Sequence, residues 1–483
     1  MKLLTIILLY FNIISKFLAI PILNNSIIFP FNTIPLNELE NISLYNESFS
    51  NNIIRNLYEN NIFMNLKIGT PSQTIQLPIN INSDDFFIAR PDADFDRNYP
   101  KRNGSFYFNQ SLSSTFNYQE GKEENIYFSH PHLSNYVQDN FIFSTINQKK
   151  ELNIKDFKFL LAYQVRESQH GIIGLKGFAS IRGREDFLTS LKSFNLTKNY
   201  IWYLKYENYT NGNLIIGNYP HDDEYIKQNC NDCVFQKKHF SKIYTNITER
   251  SWLNQWGLNF KNIIIKENGK YHTILEECEK CKMAELDPNI GIIKGSKKYK
   301  DIIEESLFKK YINQKVCFKD LLNFYKNYED YEYYYYYCNS SLKNELKKEF
   351  NPIIFEHREF KTNFSLDYDD LFIQEQEYIY FKIIFDEYSN FIFGAPFISK
   401  YQFVFNSDTK EIGFYSKNII NMDENEIKEN KDYTLLKIFG IIILGALLIV
   451  IGILIGKKLF GSKRKVKVNE LQESFDYKIN DYK

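Results

Sequence analysis

The sequence predicts an all-β ectodomain followed by a single membrane span, on two observations. From residue 58 onward, short runs of alternating apolar and polar residues, bounded by Gly, Pro, Asn and Asp, follow one another with few helical stretches. Residues 438–456 are then an uninterrupted apolar run of 19 residues, about 28 Å as a helix, enough to cross a hydrocarbon core.

The flanks agree with this order. Residues 1–19 carry basic Lys2, an apolar run over 3–14 and small Ala19, the pattern of a signal peptide. Residues 20–57 form a leader rich in Asn and Ser, with Arg55 as its one basic residue. Residues 418–437 read as a polar stalk. After the span come Lys457, Lys458, Lys463, Arg464, Lys465 and Lys467, which mark residues 457–483 as a cytoplasmic tail. The expectation is a single-pass type I protein with a luminal or extracellular ectodomain, at the cell surface or a vacuolar or endolysosomal membrane.

Charge excludes a polyanion partner. Lys plus Arg and Asp plus Glu number 59 each, so no nucleic-acid binding is expected. The six cysteines fall as near pairs, Cys230/Cys233, Cys278/Cys281 and Cys317/Cys338. An even count in a secreted chain reads as disulfides, while C-x-x-C pairs also fit zinc; no metal site and no cofactor is expected. Ten N-x-S/T sequons precede the span, among them Asn195, Asn208 and Asn363.

The chemistry sits in two loops. Residues 68–89, I-G-T-P-S-Q-T-I-Q-L-P-I-N-I-N-S-D-D-F-F-I-A, read as a strand, a tight Gly-Thr-Pro turn, an alternating strand, a polar loop and an apolar strand. Residues 284–293 read A-E-L-D-P-N-I-G-I-I. Between them lie I-Y-F-S-H-P-H at 126–132, H-G-I-I-G-L-K-G at 170–177 and G-N-L-I-I-G at 212–217. Later come W-G-L-N-F at 256–260 and F-I-F-G-A-P-F-I-S-K-Y-Q-F-V-F at 391–405.

In this order the motifs resemble the pepsin-like aspartic proteases. The resemblance implies a bilobal fold, with an N-lobe over 58–235 and a C-lobe over 236–417. It also implies a flap at 126–132, with Tyr127 at the flap tyrosine and bulky Phe128 and His130 at the flap glycines. A helix is expected over 299–311, with Ile302, Ile303, Leu307 and Tyr311 on one face.

The family cleaves peptides with two carboxylates about 3 Å apart that share one proton. Asp287 stands at the second of these positions, but Asn80 stands at the first, and an amide accepts no proton at any useful pH. Asp287, without a like-charged neighbour, is expected to titrate nearer the ordinary range. The family's two loop threonines, which bond across the lobes, are replaced by Ile81 and Pro288, so those bonds are expected to be lost. The two loop glycines are Asn82 and Asn289, the residue type that best tolerates positive φ. Ser83 keeps a hydroxyl beside Asn80.

The expectation is therefore a pseudoprotease with impaired catalysis. It would be a monomer that holds a peptide or protein in the cleft, with Tyr127 and Ser83 as contacts. An active endopeptidase working through Asp287 with Asn80, and a surface receptor or adhesion ectodomain, are the alternatives.

Overall fold

The computed structural model describes residues 26–35, 48–95, 104–128, 130–145, 148–165, 171–176, 186–208, 210–223, 235–244, 256–267, 270–273, 283–326, 329–357, 363–386 and 391–415. All of them fall in one compact unit, Met1–Ser416. The signal peptide, residues 438–456 and the pairs Cys230/Cys233 and Cys278/Cys281 lie outside the described residues. Among the described residues no helix is long and apolar enough to cross a membrane.

The strands are numerous, as the alternation predicts, and two of them run to 16 and 18 residues. Those of the N-terminal half are β1 (Ile27–Pro35), β2 (Asn60–Ile68), β3 (Gln73–Asn80), β4 (Phe86–Phe95), β5 (Asn117–Phe128), β6 (His130–Thr145), β7 (Gln148–Val165), β8 (Gly171–Gly174), β9 (Ile201–Tyr206) and β10 (Asn211–Ile216). Next come β11 (Phe240–Tyr244), β12 (Gly257–Glu267), β13 (Lys270–Thr273), β14 (Met283–Leu286), β15 (Ile293–Ser296), β16 (Cys317–Lys326), β17 (Glu329–Asn339) and β18 (Ile353–His357). The last are β19 (Asn363–Leu366), β20 (Phe372–Glu375), β21 (Tyr378–Phe381), β22 (Ile383–Asp386), β23 (Phe391–Phe393), β24 (Val404–Asn406) and β25 (Glu411–Tyr415).

The described strands form two sheets. One has 13 strands in the order β11-β25-β24-β9-β10-β1-β2-β3-β8-β4-β7-β6-β5. The other has 12, along β19-β18-β12-β14-β23-β15-β22-β17-β21-β20 with β13 and β16 attached. The first sheet takes strands from both sides of residue 235, because β24 pairs with β9 at Phe405 and Trp202. Trp202 stacks on Phe405 with centroids 4.1 Å apart, and Trp256 meets both rings edge-on. All three are buried, and such ring pairs add roughly 0.5–1.5 kcal/mol beyond their area.

Within the sheets one arrangement occurs twice. β3 runs parallel to β8, β8 antiparallel to β4, and β4 parallel to β7. Likewise β14 runs parallel to β23, β23 antiparallel to β15, and β15 parallel to β22. The two chemistry-bearing loops close these units, between β3 and β4 and between β14 and β15.

The segment 20–57 contributes β1, which lies between β10 and β2. It also contributes most of a helix, α1 (Phe49–Tyr58), whose N-terminus is capped by Ser48 accepting the Asn51 N–H. Ile54 and Leu57, three residues apart, bury against Ile290, Ile292 and Tyr335. The run Tyr333–Tyr337 packs on both faces of β17. Tyr333 and Tyr335 join the cluster under α1, and Tyr336 stacks on Phe308 at 4.6 Å. Cys317 and Cys338 face each other across β16 and β17 and form a disulfide.

Two short helices are α2 (Phe187–Ser193), capped by Asp186, and α3 (Lys297–Ile303), the latter opening the helix expected over 299–311. The predicted face over 299–311 holds only in part. Glu304–Phe308 is a π-helical turn before α4 (Lys309–Asn313). An i→i+5 turn inserts one residue into the helical phase, so Phe308 is buried where Leu307 was expected, while Ile303 and Tyr311 keep their places. Of the sequons, Asn195, Asn208 and Asn363 are exposed.

Candidate active site

The loops after β3 and β14 are built alike. In each, the side chain of the first residue accepts the backbone N–H two residues on: Asn82 N–H to Asn80 Oδ1 at 2.9 Å, and Asn289 N–H to Asp287 Oδ1 at 3.0 Å. In each, a glycine of the parallel strand threads against the loop backbone. A Cβ on Gly174 would meet the carbonyl oxygens of Ser83 and Asp85 at 2.5 and 2.6 Å. One on Gly394 would meet those of Ile290 and Ile292 at 2.0 and 2.1 Å. These are the third and fifth residues after Asn80 and after Asp287, so the two residues hold matching places.

The loops are bonded to each other. Asn82 donates its Nδ2 across to the Leu286 carbonyl at 3.2 Å and to Glu285 Oε1 at 3.0 Å, and its Oδ1 accepts the Trp256 N–H at 3.0 Å. Asn289 returns the gesture, donating Nδ2 to the Ile79 carbonyl at 2.8 Å and accepting the Ile62 N–H at 3.0 Å. Each asparagine grips the residue just before the other loop's first residue. The expected loss of cross-lobe bonds at Ile81 and Pro288 is therefore corrected: the bonds run one residue later. Neither asparagine has positive φ, so the expectation that they replace glycine for backbone reasons fails. An amide carries both a donor and an acceptor, and this is what the position uses.

Ser83 is buried, and its hydroxyl is engaged inside the loop, donating to Asp85 Oδ2 and accepting the Asp85 N–H. Asp84 lies 3.9 Å from Lys176. Tyr127 faces Pro131 and Phe128 faces His130 in the hairpin of β5 and β6, while the side chains of Tyr127, His130 and His132 lie outside the described residues.

Two groups near Asp287 escaped sequence reasoning. Glu285 precedes it by two residues on β14, whose alternate residues Ala284 and Leu286 are buried in the core. Glu285 and Asp287 therefore share the opposite face. Burial, reinforced by the Asp287 charge and opposed by Lys294, pushes the Glu285 carboxyl up to about 7. The signal was present: a lone acid in the otherwise apolar strand M-A-E-L. Tyr58, the last residue of α1, lies 3.5 Å from the Tyr333 hydroxyl. Burial, then Tyr333, then the Asp287 charge hold its phenol well above the usual range. The same helix end accepts the Gly291 N–H at the Leu57 carbonyl, 2.8 Å away, so α1 is tied to the Asp287 loop.

No group of three or more His, Cys, Asp or Glu among the described residues is placed to hold a metal. Two mirrored strand-and-loop units, each presenting a hydrogen-bonding side chain at its tip, define a bilobal domain of the pepsin-like class. The chain belongs to the eukaryotic aspartyl protease family, whose model matches residues 61–417. No curated protein matches it.

Proposed function

We propose that this protein is a peptide-binding member of its family in which hydrolysis is impaired. The observation that carries the reading is the amide of Asn80 in the place that matches Asp287. Cleavage through a water needs one group to take its proton while another polarises the carbonyl, each worth roughly 10²–10⁴-fold. Asn80 takes no proton, and its Oδ1 already accepts the Asn82 N–H. Its Nδ2 is a donor suited to a ligand's carbonyl. The loops meanwhile keep matching backbone arrangements and are bonded to each other, which supports a binding role. We further propose that residues 438–456 anchor the protein in a membrane, with the cleft on the luminal or extracellular side.

The test uses the full-length protein and a library of extended fluorogenic peptides at acidic pH. Saturable binding with little or no cleavage is expected. Brisk turnover that Asp287→Asn abolishes would overturn the reading.

One observation favours a second reading, weak hydrolysis through Asp287. Glu285 brings a second carboxyl to the same face, protonated below about pH 7. Slow cleavage lost in Glu285→Gln would support it.

A further inference from the structure

We propose that Asn82, Asn289 and Glu285 form a clasp between the two loops that is closed in acid and loosens as the medium passes neutrality. The proposal goes beyond peptide binding and stands whether the cleft cuts its ligand or only holds it.

The geometry is one-sided. Asn82 and Asn289 make matching reciprocal bonds, but of their side chains only that of Asn82 also meets an ionisable group, the Glu285 carboxyl. At the matching position two residues before Asn80 stands buried Pro78, which carries no charge. The ionisable group that the two asparagine side chains meet across the loops is therefore Glu285.

The groups around Glu285 do not compensate its charge. Its strand neighbours across β14 are Gly257 on β12 and Ile392 on β23, both neutral. Asn82, which reaches it from the opposite loop, is neutral as well. Asp287 on its own face repels it, and among the described residues the one cation that acts on it is Lys294 of β15. Lys294 lies 2.6 Å from Asp386 of β22, whose side chain is 2 % exposed. That lysine is already matched by a buried carboxylate.

In acid Glu285 is neutral, and Asn82 holds it together with the Leu286 carbonyl without burying an unbalanced charge. When Glu285 ionises, a largely buried carboxylate sits beside Asp287. Both its desolvation and the repulsion are relieved if the loops part and admit water. The bonds that open are those Asn82 makes to Leu286 and Trp256. Asn82 and Asn289 are positioning residues, since they set how Asn80 and Asp287 stand to each other. They touch no ligand in this scheme.

The clasp has its own readout. The Trp256 amide is held by Asn82 and the Ile62 amide by Asn289. Hydrogen exchange of the full-length protein is measured from about pH 5 to about pH 9 and corrected for intrinsic exchange. Protection at Trp256 is expected to fall roughly tenfold or more with a midpoint near pH 7. Glu285→Gln keeps an acceptor for Asn82 and does not titrate, so its profile is expected to be flat. Asp287→Asn removes the repelling neighbour and is expected to move the midpoint to lower pH. It also keeps the question answerable should the glutamine variant fail to fold. A flat wild-type profile, an unchanged slope in Glu285→Gln or an unmoved midpoint in Asp287→Asn would each overturn the proposal. Were the clasp only a stabilising contact, its variants would lower the melting temperature without changing these profiles.

Discussion

The loop after β3 and the loop after β14 have the same skeleton and different chemistry. Both begin with a side chain that accepts the N–H two residues on, both are threaded by a glycine, and both send an asparagine across to the other. They differ at the tip, where one has an amide and the other a carboxyl, and two residues earlier, where one has Pro78 and the other Glu285. Loop shape is thus maintained by bonds that do not involve the tip's charge. On the function proposed above, a change from acid to amide there leaves the architecture intact and removes only the proton transfer.

The sharpest way to break this comparison is to make the tips equal. Asn80→Asp is expected to raise acid peptide cleavage by about 10²–10⁴-fold, because it restores the missing proton acceptor. Fluorogenic peptide hydrolysis measures it. No gain would mean that the loops are not equivalent after all. The cross-lobe bonds already exist through Asn82 and Asn289, so no second change at Pro288 is needed.

The next effect compares the two asparagines. Asn82 makes three bonds across the interface, one to a carboxyl, and Asn289 makes two. In acid, where Glu285 is neutral, at roughly 0.5–1.5 kcal/mol per bond, Asn82→Gly should cost about 3 kcal/mol and Asn289→Gly about 2. Denaturant melts of the two variants decide it, and equal losses would erase the asymmetry.

The third concerns the acid that only one loop has. The folded-state value of Glu285 lies above its usual 4.5, at about 7. Its neutral form is favoured by folding, so its contribution is fully present below about pH 4.5 and lost as pH rises through about 7. The loss is about 3 kcal/mol, and wild type should fall behind Glu285→Gln by that amount between acid and alkaline pH. Melting temperature against pH measures it, and parallel curves would count against it.

The smallest effect is at Tyr58. Tyr58→Phe removes a 3.5 Å hydroxyl contact to Tyr333 and should change stability by less than about 1 kcal/mol. A large loss in a melt would show that the phenol is tied to Asp287 more tightly than this contact implies.

Local patterning was enough for the all-β class, because alternation and turns depend on periods and spacings within one stretch of chain. The two lobes and the matching places of Asn80 and Asp287 came from the order of the motifs through their resemblance to the pepsin-like family. The helix phase beyond Ile303 was not determined, because a π turn left no pattern to read. The reciprocal grip of Asn82 and Asn289 and the meeting of Glu285 with Asn82 were decided only by tertiary structure. Each joins residues more than two hundred positions apart. Whether an amide faces water or a carbonyl, and whether a carboxyl has a cation to balance it, depends on what the other lobe brings to that point, and no local period encodes it.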